Sequence, residues 1–232
     1  MAEIIWKNKS NKEFEGLIIT DTPPIIKPKM KVNKVEIEGR DGDIIEKLGY
    51  ESYTKNVGIG LTRNFDIDEI IKYFTGDGEL ILSDEPNKVY IASIYDDVDY
   101  ERLLMMRKAI VKFHVQPFKY LKDETKVILN VTTQKSVSVT NQGLEKAKPI
   151  IKLYGTGKVE IAVNGVNTFQ YEFPSEEEYV VINSLEEESY YNESYRNRKM
   201  VGDFPKLDVG TNTISWTGTL TKIEIEPKSR WL

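Results

Sequence analysis

The sequence predicts a mainly β protein in two parts: an N-terminal β domain with one short helix, followed by a half that is β throughout. Three observations carry this reading. Apolar and polar residues alternate with a period of two in short segments along the chain, the mark of strands with one covered face. Only residues 67–74 repeat convincingly at helical spacing. Beyond residue 125, turn signals recur about every 8–12 residues, the rhythm of a sandwich or barrel.

Residues 13–20 read as a strand stopped by Asp21-Thr22-Pro23-Pro24, because proline lacks the backbone donor that strand pairing needs. In residues 32–38, Val35 and Ile37 alternate with Lys34, Glu36 and Glu38, which predicts a half-buried strand. Gly39-Arg40-Asp41-Gly42-Asp43 is a tight turn, and residues 56–61 form the next strand. A helix follows, capped by Asn64 or Asp66, with Ile67, Ile70, Ile71 and Phe74 as its apolar stripe. Gly76 ends it and residues 79–82 are a short strand. Residues 89–94 and 107–115 are strands, the second alternating Val111, Phe113 and Val115 with Lys112 and His114, and ended by Gln116-Pro117. The apolar run 103–106 is too short for periodicity to decide between helix and strand.

A boundary near residues 122–125 gives domains 1–124 and 125–232. Strands are expected at 137–140, 150–154, 158–163, 168–173, 179–183, 213–216 and 220–225. Asn164-Gly165 suits a type I′ hairpin turn, since both residues tolerate positive φ. Gly155-Thr156-Gly157-Lys158 lacks the spacing of a phosphate loop and reads as a hairpin turn.

Composition narrows the function. Of 232 residues, 37 are acidic and 32 basic, a net charge of -5, so no concentrated basic surface offers itself to nucleic acid. There is no cysteine, hence no disulfide and no thiolate metal site. The N-terminus lacks the pattern of a signal peptide, and no apolar run approaches the ~20 residues of a membrane helix. The expectation is a soluble protein made in the cytoplasm.

An ordered set of motifs adds a family. Asn141-Gln142-Gly143 leads to Pro149-Ile150-Ile151-Lys152-Leu153-Tyr154-Gly155, then the Asn164-Gly165 hairpin and Ile182-Asn183-Ser184. Gly202-Asp203-Phe204-Pro205-Lys206-Leu207 runs on to Gly210-Thr211-Asn212-Thr213-Ile214. With the bend Phe113-His114-Val115-Gln116-Pro117-Phe118-Lys119-Tyr120 and the helix before Gly76-Asp77-Gly78-Glu79-Leu80, this series resembles the distal tail (Dit) family of siphophages over most of the chain. The resemblance implies a viral structural protein of the tail tip or baseplate. Its N-terminal β domain would close into a homohexameric ring, singly or stacked, and its C-terminal β-sandwich would be galectin-like. It implies contacts with the tail tube protein, a tail-tip protein and a receptor-binding protein, in a virion assembled in the host cytoplasm. It implies no catalytic residue, no cofactor and no metal.

The candidate sites rest on residue types and their spacing. The lone His114 stands out of phase with the apolar residues of its strand and reads as structural or interfacial. Asp96-Asp97-Val98-Asp99 and Asp41-Gly42-Asp43 lack calcium-loop spacing and read as turns. Glu176-Glu177-Glu178 and Glu186-Glu187-Glu188 read as solvated runs. Tyr190, Tyr191, Tyr195, Arg196, Arg198 and Trp216 form the candidate contact cluster, open to three readings: loop packing, partner docking or sugar binding. Trp231 is expected to be covered.

Overall fold

The computed structural model describes residues 2–232. The chain divides into two compact units, one running to Lys119 with Leu232, the other Tyr120–Trp231.

The first unit begins with β1 (Ile4–Trp6) and β2 (Lys9–Ser10), joined by a turn through Lys7 and Asn8 at positive φ. A single 3-10 turn, Asn11–Glu13, follows, closed by a Ser10–Glu13 capping box. Part of the strand expected at 13–20 is therefore a capped turn, and β3 is Leu17–Asp21. Next come β4 (Met30–Glu36), β5 (Asp43–Tyr50), β6 (Tyr53–Leu61), helix α1 (Ile67–Tyr73), β7 (Gly76–Leu82), β8 (Lys88–Ile94), helix α2 (Tyr100–Met106) and β9 (Lys108–Leu121).

Asp66 caps α1 by accepting from the amides of Asp68 and Glu69. The buried stripe is Ile70, Tyr73 and Phe74; Ile71 faces out and Tyr73 takes the place expected for it. The undecided run 103–106 belongs to α2, which Asp99 caps through the Arg102 amide. The unit therefore has two short helices. Strand β9 does not stop at Gln116-Pro117; the pairing with β6 ends at Tyr53–Val115, so on that side the missing proline donor interrupts no ladder.

The seven strands of the first unit outside β4 and β5 follow one another in a sheet in the order β2-β1-β7-β8-β9-β6-β3. An isolated bridge between Ala2 and Ile19 ties the chain before β1 to β3, so the sheet curls back on itself into a barrel. Its interior holds Ile4, Trp6, Val57, Ile59, Leu80, Val111 and Phe113, with Trp6 and Phe113 edge to face at 5.2 Å. Gly58 lets β3 lie close on β6: a Cβ there would come within 2.7 Å of Thr20 Oγ1.

β4 and β5 stand apart as a two-stranded ribbon, pairing from Met30–Tyr50 to Glu36–Asp43. The half-buried strand expected at 32–38 is thus corrected. It is paired on one side only, and no layer of the unit covers either face.

In the second unit the strands are β10 (Val127–Asn130), β11 (Ser136–Asn141), β12 (Ile150–Val163), β13 (Val166–Phe173), β14 (Tyr179–Asn183), β15 (Glu188–Tyr191), β16 (Ser194–Tyr195), β17 (Met200–Gly202), β18 (Gly210–Glu226) and β19 (Arg230–Trp231). Strands β12 and β18 are each one long strand where two were expected. The predicted turn at 155–158 is a bend inside β12, with Gly157 at positive φ, and Gly218 plays the same part in β18. Across that bend β12 changes partner from β14 to β13, and β18 from β10 to β11. Both halves turn buried residues, including Ile151, Leu153, Ile161, Tyr171, Ile214 and Ile223, into one core. Asn164 and Gly165 make the expected turn at positive φ, and Asn164 Oδ1 accepts from the Thr213 amide at 2.9 Å. Trp231 is half-buried.

The outer face of the sheet through β10, β18, β12 and β14 carries a charge ladder. Lys222 and Lys126 hold Glu224 at 2.5 and 3.0 Å, and Lys126 also reaches Glu226 at 3.2 Å. Hydrogen bonding from Lys222, reinforced by Lys126 against the cost of burial, brings the Glu224 carboxyl down to about 2.

Two expectations follow from these cores. Phe113→Ala removes a fully buried ring and is expected to cost about 3–5 kcal/mol in denaturant unfolding of the full chain. Glu224 is more acidic folded than unfolded, so it adds stability above the usual carboxylate range that is lost as pH falls toward about 2. Thermal melts between about pH 5 and pH 2 should show a shallower loss in Glu224→Gln than in the parent; equal slopes would remove Glu224 from the acid response.

Candidate docking surfaces

The ribbon exposes a run of apolar side chains. Val35 pairs with Ile44 on one face and Ile45 lies on the other, opposite Lys34. Ile45 is 56% exposed and Leu48 60%, while Val32, Ile37 and the preceding Ile25 and Ile26 are also exposed. An isolated two-stranded hairpin is marginal in water, and a contiguous exposed apolar patch marks an interaction surface. Both long edges are unpaired, so the backbone also offers donors and acceptors to an added strand. The 107–115 segment has no such freedom. It lies in β9, between β8 and β6, with its pairing to β6 continuous from Lys108 to Val115.

In the second unit the candidate contact residues divide into three places. Tyr195, Arg196 and Arg198 come together. They line a cleft of about 600 Å³ with Lys199, Glu176 and Glu188, where β16 and a 3-10 turn at Asn197–Lys199 face the loop around Pro174. Tyr195 is 70% exposed at its rim. Glu177 lies buried beneath, accepting from Arg196 Nε and from the Tyr171 hydroxyl at 2.9 Å. The expected solvated run thus contains a buried carboxylate, because Arg196 and Tyr171 satisfy both its oxygens. Burial and that carboxylate push the Tyr171 hydroxyl up, and Glu177 raises Arg196. Asn197 fixes the turn by accepting from both the amide and the hydroxyl of Ser189.

Tyr190 and Tyr191 lie on β15, outside this lining. Tyr190 pairs with Val181 and Tyr195, and burial followed by the Glu186 charge raises its hydroxyl. Tyr191 joins an aromatic row: its ring is 5.0 Å from Tyr179, which is 5.6 Å from Tyr154. Lys152 Nζ sits 3.7 Å over Tyr179. Sequence reading missed Tyr154, Tyr179 and Lys152. The signal was the strict alternation of β12, which sends Lys152 and Tyr154 to the face opposite Ile151 and Leu153. Trp216 belongs to neither group. It is 4% exposed inside the core and has no ring face to give a ligand, which removes it from the contact cluster.

His114 packs as an outward strand residue, between Thr54 Oγ1 at 3.3 Å and Asp96 at 3.2 Å, with Tyr95 stacked on its ring at 3.9 Å. His114 and Lys112 hold Asp96 below the usual carboxylate range. Asp99 caps α2 and Asp43 opens β5 beside Lys34, so both aspartate loops have local backbone or ion-pair roles. Glu187 pairs with Lys148 at 3.1 Å. Among the described residues no group of three histidine or acidic side chains could hold a metal, and no helix is long and apolar enough to cross a membrane.

No family model matches the sequence, and no curated protein matches it. Among solved structures, the chain is similar to the Dit (gp 19.1) protein of phage SPP1, described as a paradigm of the hub adsorption apparatus in phages that infect Gram-positive bacteria. The two share 16% identity and superpose with a TM-score of 0.73 over 100% of each chain. From first unit to last strand, this chain has the fold of a phage Dit protein.

Proposed function

We propose that this chain is a structural hub component of a phage tail, a homohexameric ring that joins the tail tube to the tail tip. The observation that carries the reading is the full-length likeness to a hub adsorption protein, with neither domain missing from either chain. Ring closure is assigned to residues 1–124 and a docking arm to residues 125–232. A ring closes by head-to-tail contacts, each subunit offering one surface and receiving on another. The exposed ribbon supplies a surface of the first kind: bare apolar faces and free edges that burial against a second copy would satisfy. Repeated weak contacts then add up by multivalency. The output is shape, with no chemistry of its own, in a virion assembled in the host cytoplasm. The tail tube protein, a tail-tip protein and a receptor-binding protein are its partners.

A second reading is a carbohydrate contact that aids attachment to the cell wall. The cleft favours it, because Tyr195 presents an open ring beside Arg198 and Lys199. Loss of polysaccharide binding in Tyr195→Ala would support it, and absence of any binding by the multimeric parent would remove it.

Light scattering and negative-stain imaging of the full chain test the ring. The expected result is a hexamer's mass and annular particles, with the double variant Ile45→Lys, Leu48→Lys reduced to monomer while its circular dichroism is unchanged. A parent chain that stays monomeric under every assembly condition would contradict the proposal.

A further inference from the structure

We propose that Lys55 is the positioning residue of the ribbon: its buried ammonium holds the carbonyl of Pro24 and fixes the angle at which β4 and β5 leave the barrel. This rests on reading the ribbon as the ring-closing arm. Lys55 lies in β6 and is 1% exposed. Its Nζ donates to the Pro24 carbonyl at 3.1 Å. Among the described residues it has no ion-pair partner and no second acceptor. Two aromatic faces stand near it, with Nζ 4.8 Å from the Tyr90 ring and 5.7 Å from that of Tyr53. The neighbouring carboxylate, Glu85, is taken by Lys119 at 2.6 Å and by the Tyr90 hydroxyl.

An ammonium has three hydrogens to donate, and this one has a single acceptor. Losing it would leave the buried ammonium with no hydrogen-bond acceptor, which is the costly state for a buried cation. Burial lowers the Lys55 pKa and the Glu85 charge raises it again, in keeping with an ammonium under strong desolvation.

The acceptor's place in the chain gives the contact its consequence. Pro24 stands between the end of β3 at Asp21 and the start of β4 at Met30. Pro23 and Pro28 on either side are buried, and proline restricts φ, so this leg of the ribbon has little freedom beyond its anchor. The Glu51 amide donates to the Lys29 carbonyl at 2.8 Å, but that bond only ties the two legs to each other. The second leg rests on the barrel through the Tyr50 ring, edge-on to Phe118 at 5.7 Å. Lys55 is therefore the polar anchor, the one that sets direction.

Lys55→Met keeps the apolar stem and removes the charge. Its thermal unfolding is expected to be unchanged or higher, since a desolvated ion is replaced by an apolar group of similar length. Limited trypsin cleavage after Lys29 is expected to be about tenfold faster or more, as loss of a charged hydrogen bond loosens local opening. Rings are expected to be lost at concentrations where the parent assembles. A second variant, with a glycine pair inserted between Pro24 and Ile25, keeps Lys55 and its acceptor and should show the same faster cleavage and loss of rings. It decides the matter should Lys55→Met fail to fold. Cleavage at the parent rate in Lys55→Met overturns the proposal, and so does an insertion variant that assembles like the parent. A parent chain that never forms rings overturns the ring reading alone, and the cleavage rates still judge the anchor.

Discussion

A β-strand with a free edge exposes a row of backbone donors and acceptors, and the first unit is arranged around where those edges go. The Ala2–Ile19 bridge brings the curled sheet back on itself and takes up edge groups that would otherwise face water. Strand β9 is paired on both sides, and β2 is only two residues long. What is left unpaired is concentrated in β4 and β5, where apolar side chains stand on both faces as well. Both kinds of unmet demand, backbone pairing and apolar burial, thus fall on one projecting element. Docking one such ribbon on a neighbouring chain would meet both.

The second unit handles its edges by a different route. Its two longest strands bend at glycine and serve two sets of neighbours each, so one pair of strands organises the whole core. The short hairpin β15–β16 and the turn after it are then free to build a cleft on the periphery, held by the half-exposed Arg196 on the buried Glu177. This separates a rigid interior from a presenting surface, a division that suits a docking arm.

Much of this was legible in the sequence. The mainly β class, the Asp66 cap and the Asn164-Gly165 turn follow from local rules, because each depends on residues a few positions apart. Glycine permits a turn or a bend, so Gly157 reads locally as a turn and residues 213–225 as two strands on either side of Gly218; only the partner strand decides, and it lies far along the chain. Alternation at 32–38 correctly marked a strand with distinct faces, but cannot say whether the covering layer belongs to the same chain. Strand β5 was missed because Ile44 and Ile45 are adjacent, and in a ribbon with two bare faces alternation has no core to report. Of the contact cluster, Tyr195, Arg196 and Arg198 were legible as neighbours in sequence. Trp216 was grouped with them by type, and only strand register shows that it points into the core. The row Tyr154–Tyr179–Tyr191 draws on three strands and needs that register too.

Amide hydrogen exchange reads directly whether a second copy of this chain covers the ribbon. Exchange across residues 30–50 should slow strongly as the chain is concentrated into its assembled form, while amides of β6 and β9 stay protected throughout. Fast ribbon exchange at every concentration, beside a protected barrel, would contradict it.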